Sequence, residues 1–214
     1  MTDLPRVTLY HSPNTRSTGA RILLEELGAP YDLHALNMMA GEQRSPAFLA
    51  VNPMGKVPTV TLGDAMVSEQ VAVYLFLADL YPGAGLAPSV TDPLRGPYLR
   101  WMALYGSSFE PAVMDRAMKR EPPPARMSAY GSFEDLYAMI EAQVAKGPWL
   151  LGDRFTAADV LWGTALGWVS AFDLVPKSEA IGAYAARVAA RPAAVRVREA
   201  DAALAAEHKA AAGA

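Results

Sequence analysis

Side chains able to donate hydrogen bonds crowd the segment Tyr10-His11-Ser12-Pro13-Asn14-Thr15-Arg16-Ser17. Ser12, Asn14, Thr15 and Ser17 can each donate a hydrogen bond, and each can instead form the turn or cap the following helix. Ser17 is read as a cap before a catalyst. A second group is Asn52-Pro53-Met54-Gly55-Lys56-Val57-Pro58, followed by Thr59-Val60-Thr61-Leu62. Proline cannot donate to a ladder, and X-Pro is the bond where cis costs only roughly 0.5–1 kcal/mol. With Val57–Pro58 cis, Val57 is extended and its N–H and C=O are free to grip the backbone of a peptide-like ligand, as strand addition does; the alternative is an ordinary proline turn. A third group is Ser68-Glu69-Gln70, where a strand gives way to a helix. First-turn N–H groups and the positive end of the helix dipole make such a corner a carboxylate site, although Glu69 can also be a simple helix-start acid.

Composition narrows the chemistry. The chain has 214 residues, 52% apolar and 19% charged, a net charge of −3, and no cysteine. Without cysteine there is no disulfide, thiolate, Fe–S or cysteine–zinc chemistry, so a nucleophile belongs to the substrate or is a hydroxyl. The three histidines, His11, His34 and His208, have no metal-ligand spacing, so no metal is expected. Scattered basic residues give no footprint for nucleic acid or an anionic membrane. The first six residues lack the order of a signal peptide and no apolar run reaches ~18 residues, so a soluble cytoplasmic protein is expected.

The elements that must position these groups follow in order. Residues 7–11 alternate as a strand, 17–27 carry helical apolar spacing stopped by Gly28, and 31–36 alternate again. A short helix within 41–52, strands at 59–62 and from 66, and a helix over 71–80 complete an α/β domain, 1–82. Residues 83–93, rich in Pro, Gly, Ala and Ser, read as a linker. Beyond it, 94–214 reads as an all-α bundle with helices at 97–118, 132–146, 157–172, 179–190 and 193–212, the first stopped by Pro122-Pro123-Pro124. The alanine-rich tail has helix propensity but little apolar periodicity; its last turns are expected to fray and no function is attached to it. Thr156 and Asp159, beside Phe155, fit an N-cap with a carboxylate reaching back and a hydrophobic staple, a folding motif only.

Three motifs carry a resemblance. Asn52 to Pro58 resembles the N-P-x-G-x-V-P of the cytosolic glutathione transferases; Ser68-Glu69-Gln70-Val71-Ala72-Val73-Tyr74-Leu75 resembles their T/S-E-S-x-A-I-x-x-Y-L; and Trp149-Leu150-Leu151-Gly152-Asp153-Arg154-Phe155-Thr156-Ala157-Ala158-Asp159 resembles a motif of their second domain. The resemblance implies a thioredoxin-like α/β N-terminal domain, an all-α C-terminal domain, a homodimer, and glutathione as co-substrate with no other cofactor. It implies that Pro58 is cis and that Val57 binds the cysteinyl backbone, with Asn14 and Lys56 also at the tripeptide. Glu69 then faces the γ-glutamyl ammonium, while Gln70 replaces the serine that holds the carboxylate.

The resemblance also implies a group beside the thiol that keeps it ionised. Counted from Pro13, Thr15 matches the serine of serine-type members and Arg16 the cysteine of cysteine-type members; Tyr10 matches the tyrosine-type position, with a core role as its alternative. The order of candidates is Thr15, Ser12, Tyr10. Arg16 either steers the anionic tripeptide or is a solvated first-turn residue. Trp101, Tyr105 and Phe109, four apart on one helix face, would line a wall of the second-substrate pocket that the family places between its domains; an aromatic stripe of this kind is also a core or dimer pattern. The implied function is conjugation of glutathione to small apolar electrophiles. The alternatives are a glutathione-dependent isomerase, dehalogenase or peroxidase, and a non-catalytic member that binds glutathione or a protein.

Overall fold

The computed structural model describes residues 4–121 and 123–212. Three sequence readings fall partly outside them: the N-terminal residues Met1 to Asp3 that lack the order of a signal peptide, the proline break at Pro122, and the last two residues of the tail. The chain forms two units, residues 1–85 with 191–214, and residues 86–190.

The first unit is built on β1 (Val7–His11), α1 (Arg16–Leu27), β2 (Tyr31–Ala35), α2 (Pro46–Val51), β3 (Thr59–Leu62), β4 (Ala65–Val67) and α3 (Gln70–Leu80). The strand order is β2-β1-β3-β4, with β1 and β2 parallel and the other pairs antiparallel. Strand alternation sends Val7, Leu9 and His11 to one buried side and Thr8 and Tyr10 to the other. Ala20, Leu23, Leu24 and Leu27 of α1 and Val73 and Leu77 of α3 complete the apolar core. Helix α1 ends where Gly28 takes a left-handed conformation, φ +60°, and its N–H returns to Glu25 and Leu24 carbonyls. A mixed four-stranded sheet with flanking helices is the thioredoxin-like layout expected.

The second unit holds α4 (Arg95–Leu104), α5 (Glu110–Ala117), α6 (Phe133–Val144), α7 (Ala157–Ala171) and α8 (Glu179–Ala189). The helix expected over 97–118 is interrupted by a π-turn at Tyr105–Phe109. Wider i→i+5 turns keep residues four apart on one face, so Trp101, Tyr105 and Phe109 all reach Trp162, with ring centroids 5.4, 5.6 and 5.0 Å away. The Trp162 Nε1–H donates to the Trp101 carbonyl at 3.0 Å. These four aromatics form one cluster in the core of the unit. Close approach of α7 and α8 needs Gly163, because a Cβ there would stand 2.3 Å from a Val188 methyl.

Asp159 organises the start of α7. Its buried carboxylate accepts from the Thr156 N–H at 2.8 Å and hydroxyl at 3.0 Å, the Leu150 N–H at 2.7 Å and the Tyr184 hydroxyl at 2.9 Å. Burial pushes this carboxyl above the usual carboxylate range, against the pull of the four donors. The expected cap is there, and it is also a hub joining the 149–156 segment to α8.

The last helix, α9 (Pro192–Ala212), is grouped with the first unit, whereas the sequence reading placed it in the helical domain. Polar contacts explain the difference. Arg191 binds Glu26 through two bonds of 2.6 Å, Asp201 meets His11, Thr18 and Arg21, and the Asn37 side-chain N–H donates to the His208 carbonyl at 3.1 Å. Ala193, Ala194 and Val197 are buried between these anchors.

Candidate active site

Strand register brings the three chemically interesting loops to one end of the sheet. Tyr10 near the end of β1 pairs with Thr59 at the start of β3, and Val60 pairs with Val67 at the end of β4. The loop after β1, the turn before β3 and the junction from β4 to α3 therefore leave the sheet together. The Gln70 Nε2 lies 3.5 Å from the Arg16 carbonyl, a long contact between the first and third of them.

The turn before β3 is held from inside by Asn52, which is 1% exposed. Its side-chain N–H groups donate to the Lys56 carbonyl at 3.0 Å and the Thr59 hydroxyl at 2.8 Å, and its oxygen accepts from the Met54 N–H at 3.0 Å. Gly55 has φ +62°, and a Cβ there would stand 2.7 Å from the Gln43 carbonyl, so only glycine fits. The Val57–Pro58 bond is cis. Among the described residues the Val57 N–H and C=O form no hydrogen bond, although they are only half-buried and flank a strand. Lys56 is exposed beside them.

At the third corner Glu69 is exposed with φ +66° and ψ +116°, a conformation that costs a non-glycine residue about 1–3 kcal/mol and that persists where the surroundings demand it. Glu69 is the N-cap of α3, and its side chain makes no capping bond.

The loop after β1 sorts its hydroxyls. Thr15, not Ser17, caps α1: its oxygen accepts from the Ser17 N–H at 3.2 Å. Its single hydrogen has two internal acceptors, the Ser12 carbonyl and Ser17 Oγ, each 2.7 Å away. The first-ranked activator is thus committed within the protein. Ser17 is fully buried, 2.8 Å from His11 Nδ1. Ser12 is bound through its backbone, N–H to Ser17 Oγ at 3.1 Å and C=O to Thr15, while its hydroxyl has no partner among the described residues. Asn14 is exposed and takes φ +58°, the left-handed turn position that asparagine tolerates. Tyr10 stands on the opposite side of β1 from His11, against His34 at 4.9 Å and Phe48 at 5.3 Å, as a packing residue. Trp101, Tyr105 and Phe109 are buried to 3% exposure or less around Trp162, which gives them the core role and not that of an open wall.

Residues 5–79 match the family description "Glutathione S-transferase, N-terminal domain" and residues 111–206 match "Glutathione S-transferase, C-terminal domain". A maleylacetoacetate isomerase of Aspergillus fumigatus is 30% identical over 178 residues, 74% of this chain and 77% of that protein. A glutathione transferase from Methylococcus capsulatus superposes with a TM-score of 0.76 at 31% identity, covering 92% of this chain and 99% of that one. The chain belongs to the glutathione S-transferase family. A sphingomonad glutathione S-transferase solved with glutathione matches at 30% identity, TM-score 0.72, over 91% of this chain and 98% of that one.

Sequence reasoning missed His11, Asp201 and the scaffolding role of Asn52. His11 offers the sequence only a metal-ligand reading, and its carboxylate partner lies 190 residues away, a pairing without a local signal. Asn52 had a signal, an amide at the head of a tight proline–glycine turn. Among the described residues no helix is long and apolar enough to cross a membrane, and no cluster of three metal-ligating side chains occurs.

Proposed function

We propose that this chain is a glutathione transferase in which Ser12 activates the thiol. Glutathione lies across the three loops at the end of the sheet. The Val57 N–H and C=O hold the cysteinyl backbone, and Glu69 faces the γ-glutamyl ammonium while the first-turn N–H groups of α3 face its carboxylate. Lys56 and Arg16, both exposed, add positive charge for an anionic tripeptide, and Asn14 flanks the thiol. The Ser12 hydroxyl donates to the sulfur and favours the thiolate. The thiolate attacks an electrophilic carbon; an S–C bond forms as the leaving group departs with its electron pair, or as an activated double bond takes a proton from water. The observation that carries this step is the Ser12 hydroxyl, without a partner among the described residues in a loop whose other hydroxyls are bonded internally. The family extends the proposal to a homodimer.

A second reading, glutathione-dependent isomerisation, is favoured by the Aspergillus relative. The same thiolate would add to an activated double bond and be expelled after rotation, so glutathione would not be consumed.

Millimolar glutathione is expected to raise the melting temperature, since a ligand at a hundred times its Kd stabilises by about 2.7 kcal/mol. Immobilised glutathione should retain the protein. Neither effect would be seen if glutathione were not the ligand. Aryl halides and conjugated enones then separate conjugation, which consumes thiol, from isomerisation, which does not.

A further inference from the structure

A buried polar chain runs from α9 to the thiol loop, and the proposed reaction leaves it unexplained. His11 is fully buried at the end of β1. Its Nε2 is 3.0 Å from Asp201 Oδ1 and its Nδ1 2.8 Å from Ser17 Oγ. Asp201 also accepts from the Thr18 hydroxyl at 2.6 Å and from Arg21 at 2.8 Å. Burial opposes ionisation of this carboxyl, but the bonds from His11, Thr18 and Arg21 outweigh it and hold it below the usual carboxylate range.

One arrangement of hydrogens joins this chain from end to end. An ionised carboxylate only accepts, so His11 carries its proton on Nε2. In that tautomer Nδ1 is left as an acceptor. Ser17 then spends its only hydrogen on Nδ1, and its oxygen has just lone pairs left for the loop. Those lone pairs face the Ser12 N–H at 3.1 Å and the Thr15 hydroxyl at 2.7 Å. Without the ring, Ser17 would turn its hydrogen to the Ser12 carbonyl, 3.1 Å away, in competition with Thr15. The peptide that carries Ser12 would lose its single arrangement.

We propose that Asp201 and His11 are positioning residues for the thiol loop, acting through Ser17 to set how the Ser12 peptide is held and thereby where its hydroxyl points. The catalytic half of this proposal rests on the reading that Ser12 meets the glutathione sulfur; the positioning half does not.

The test uses the full chain and three variants, Asp201→Asn, His11→Gln and Glu26→Gln. The last removes the charge from the Arg191 anchor of α9 without touching the relay, so it reports loosened docking alone. In the wild type, nitrogen NMR of labelled histidine should find His11 protonated on Nε2 and bare on Nδ1, and the Ser12 amide should exchange slowly. Asp201→Asn and His11→Gln should speed that exchange, raise the pKa of the bound thiol by about one unit, and lower kcat about tenfold at neutral pH with KM for glutathione within about twofold. Glu26→Gln should lower the melting temperature and leave the thiol pKa in place. A proton on Nδ1 overturns the proposal, as does a thiol pKa that the relay variants move no further than Glu26→Gln does. If the wild type binds no glutathione, the proposed function and the catalytic half fall together, while the tautomer and the Ser12 amide still decide whether the relay positions the loop. A misfolded His11→Gln leaves the decision to Asp201→Asn, which keeps the size and an accepting oxygen.

Discussion

Ser12 and Thr15 carry the same functional group in one loop, and their surroundings give them different partners. Thr15 gives its oxygen to the Ser17 N–H and its hydrogen to an internal acceptor. Ser12 is held by its peptide and keeps its hydroxyl uncommitted. A hydrogen bond to a charged group contributes about 1.5–3 kcal/mol, and 1.36 kcal/mol is one pKa unit. Ser12→Ala should therefore raise the pKa of the bound thiol by about one to two units and lower turnover near neutral pH in proportion. Thr15→Ala should cost about 1 kcal/mol through the lost cap and leave the thiol pKa within a few tenths. Urea unfolding and the pH–rate profile, measured on both variants, distinguish the two assignments. Sequence spacing points to this loop but not to which of its hydroxyls is bonded internally, because counting from Pro13 reports position and not where a hydroxyl's hydrogen goes.

At the scale of elements, the start of α7 shows how a motif legible in sequence can hold more than its pattern implies. Thr156 and Asp159 read as a cap from their spacing alone. Two further donors join them, the Leu150 N–H at the head of the same motif and the Tyr184 hydroxyl from a segment that no local pattern connects to them. Thr156→Ala should cost about 1 kcal/mol, the price of a cap. Asp159→Ala strands three buried donor groups besides the Thr156 hydroxyl, each at about 1–3 kcal/mol, so it should cost about 3 kcal/mol or more. Urea denaturation of the two variants would show the ratio, and neither should change glutathione affinity in the protein that remains folded. The strands and helices around the site were legible because alternation, helical spacing, Gly28 and Pro58 are local signals. The π-turn at Tyr105–Phe109 was not, since aromatics four apart satisfy an α-helical pattern as well as a wider turn.

At the scale of the whole chain, the two-part organisation could be read from composition, but the return of the last helix to the first unit could not. Alanine-rich sequence has little periodicity, and the anchors Glu26–Arg191 and His11–Asp201 join residues 165 and 190 positions apart. Asp201 makes this return sensitive to acid. Its carboxyl sits lower when folded than when unfolded, so the unfolded chain binds a proton first as pH falls. Its contribution to stability is complete above the usual carboxylate range and is lost as pH drops through the folded value. The melting temperature of the wild type should fall more steeply across that acidic window than that of Asp201→Asn, which has no such proton to take up. Parallel slopes would remove Asp201 from this role.

The central claim is that the loop after β1 lowers the pKa of a glutathione thiol through Ser12. A spectroscopic titration of the thiolate in the glutathione complex, wild type against Ser12→Ala, addresses it directly. The wild-type complex should titrate at least about one unit below free glutathione, and the variant should move back toward the free value while still binding the tripeptide. A bound thiol that titrates like free glutathione in the wild type, or one that Ser12→Ala leaves unmoved, would contradict the claim.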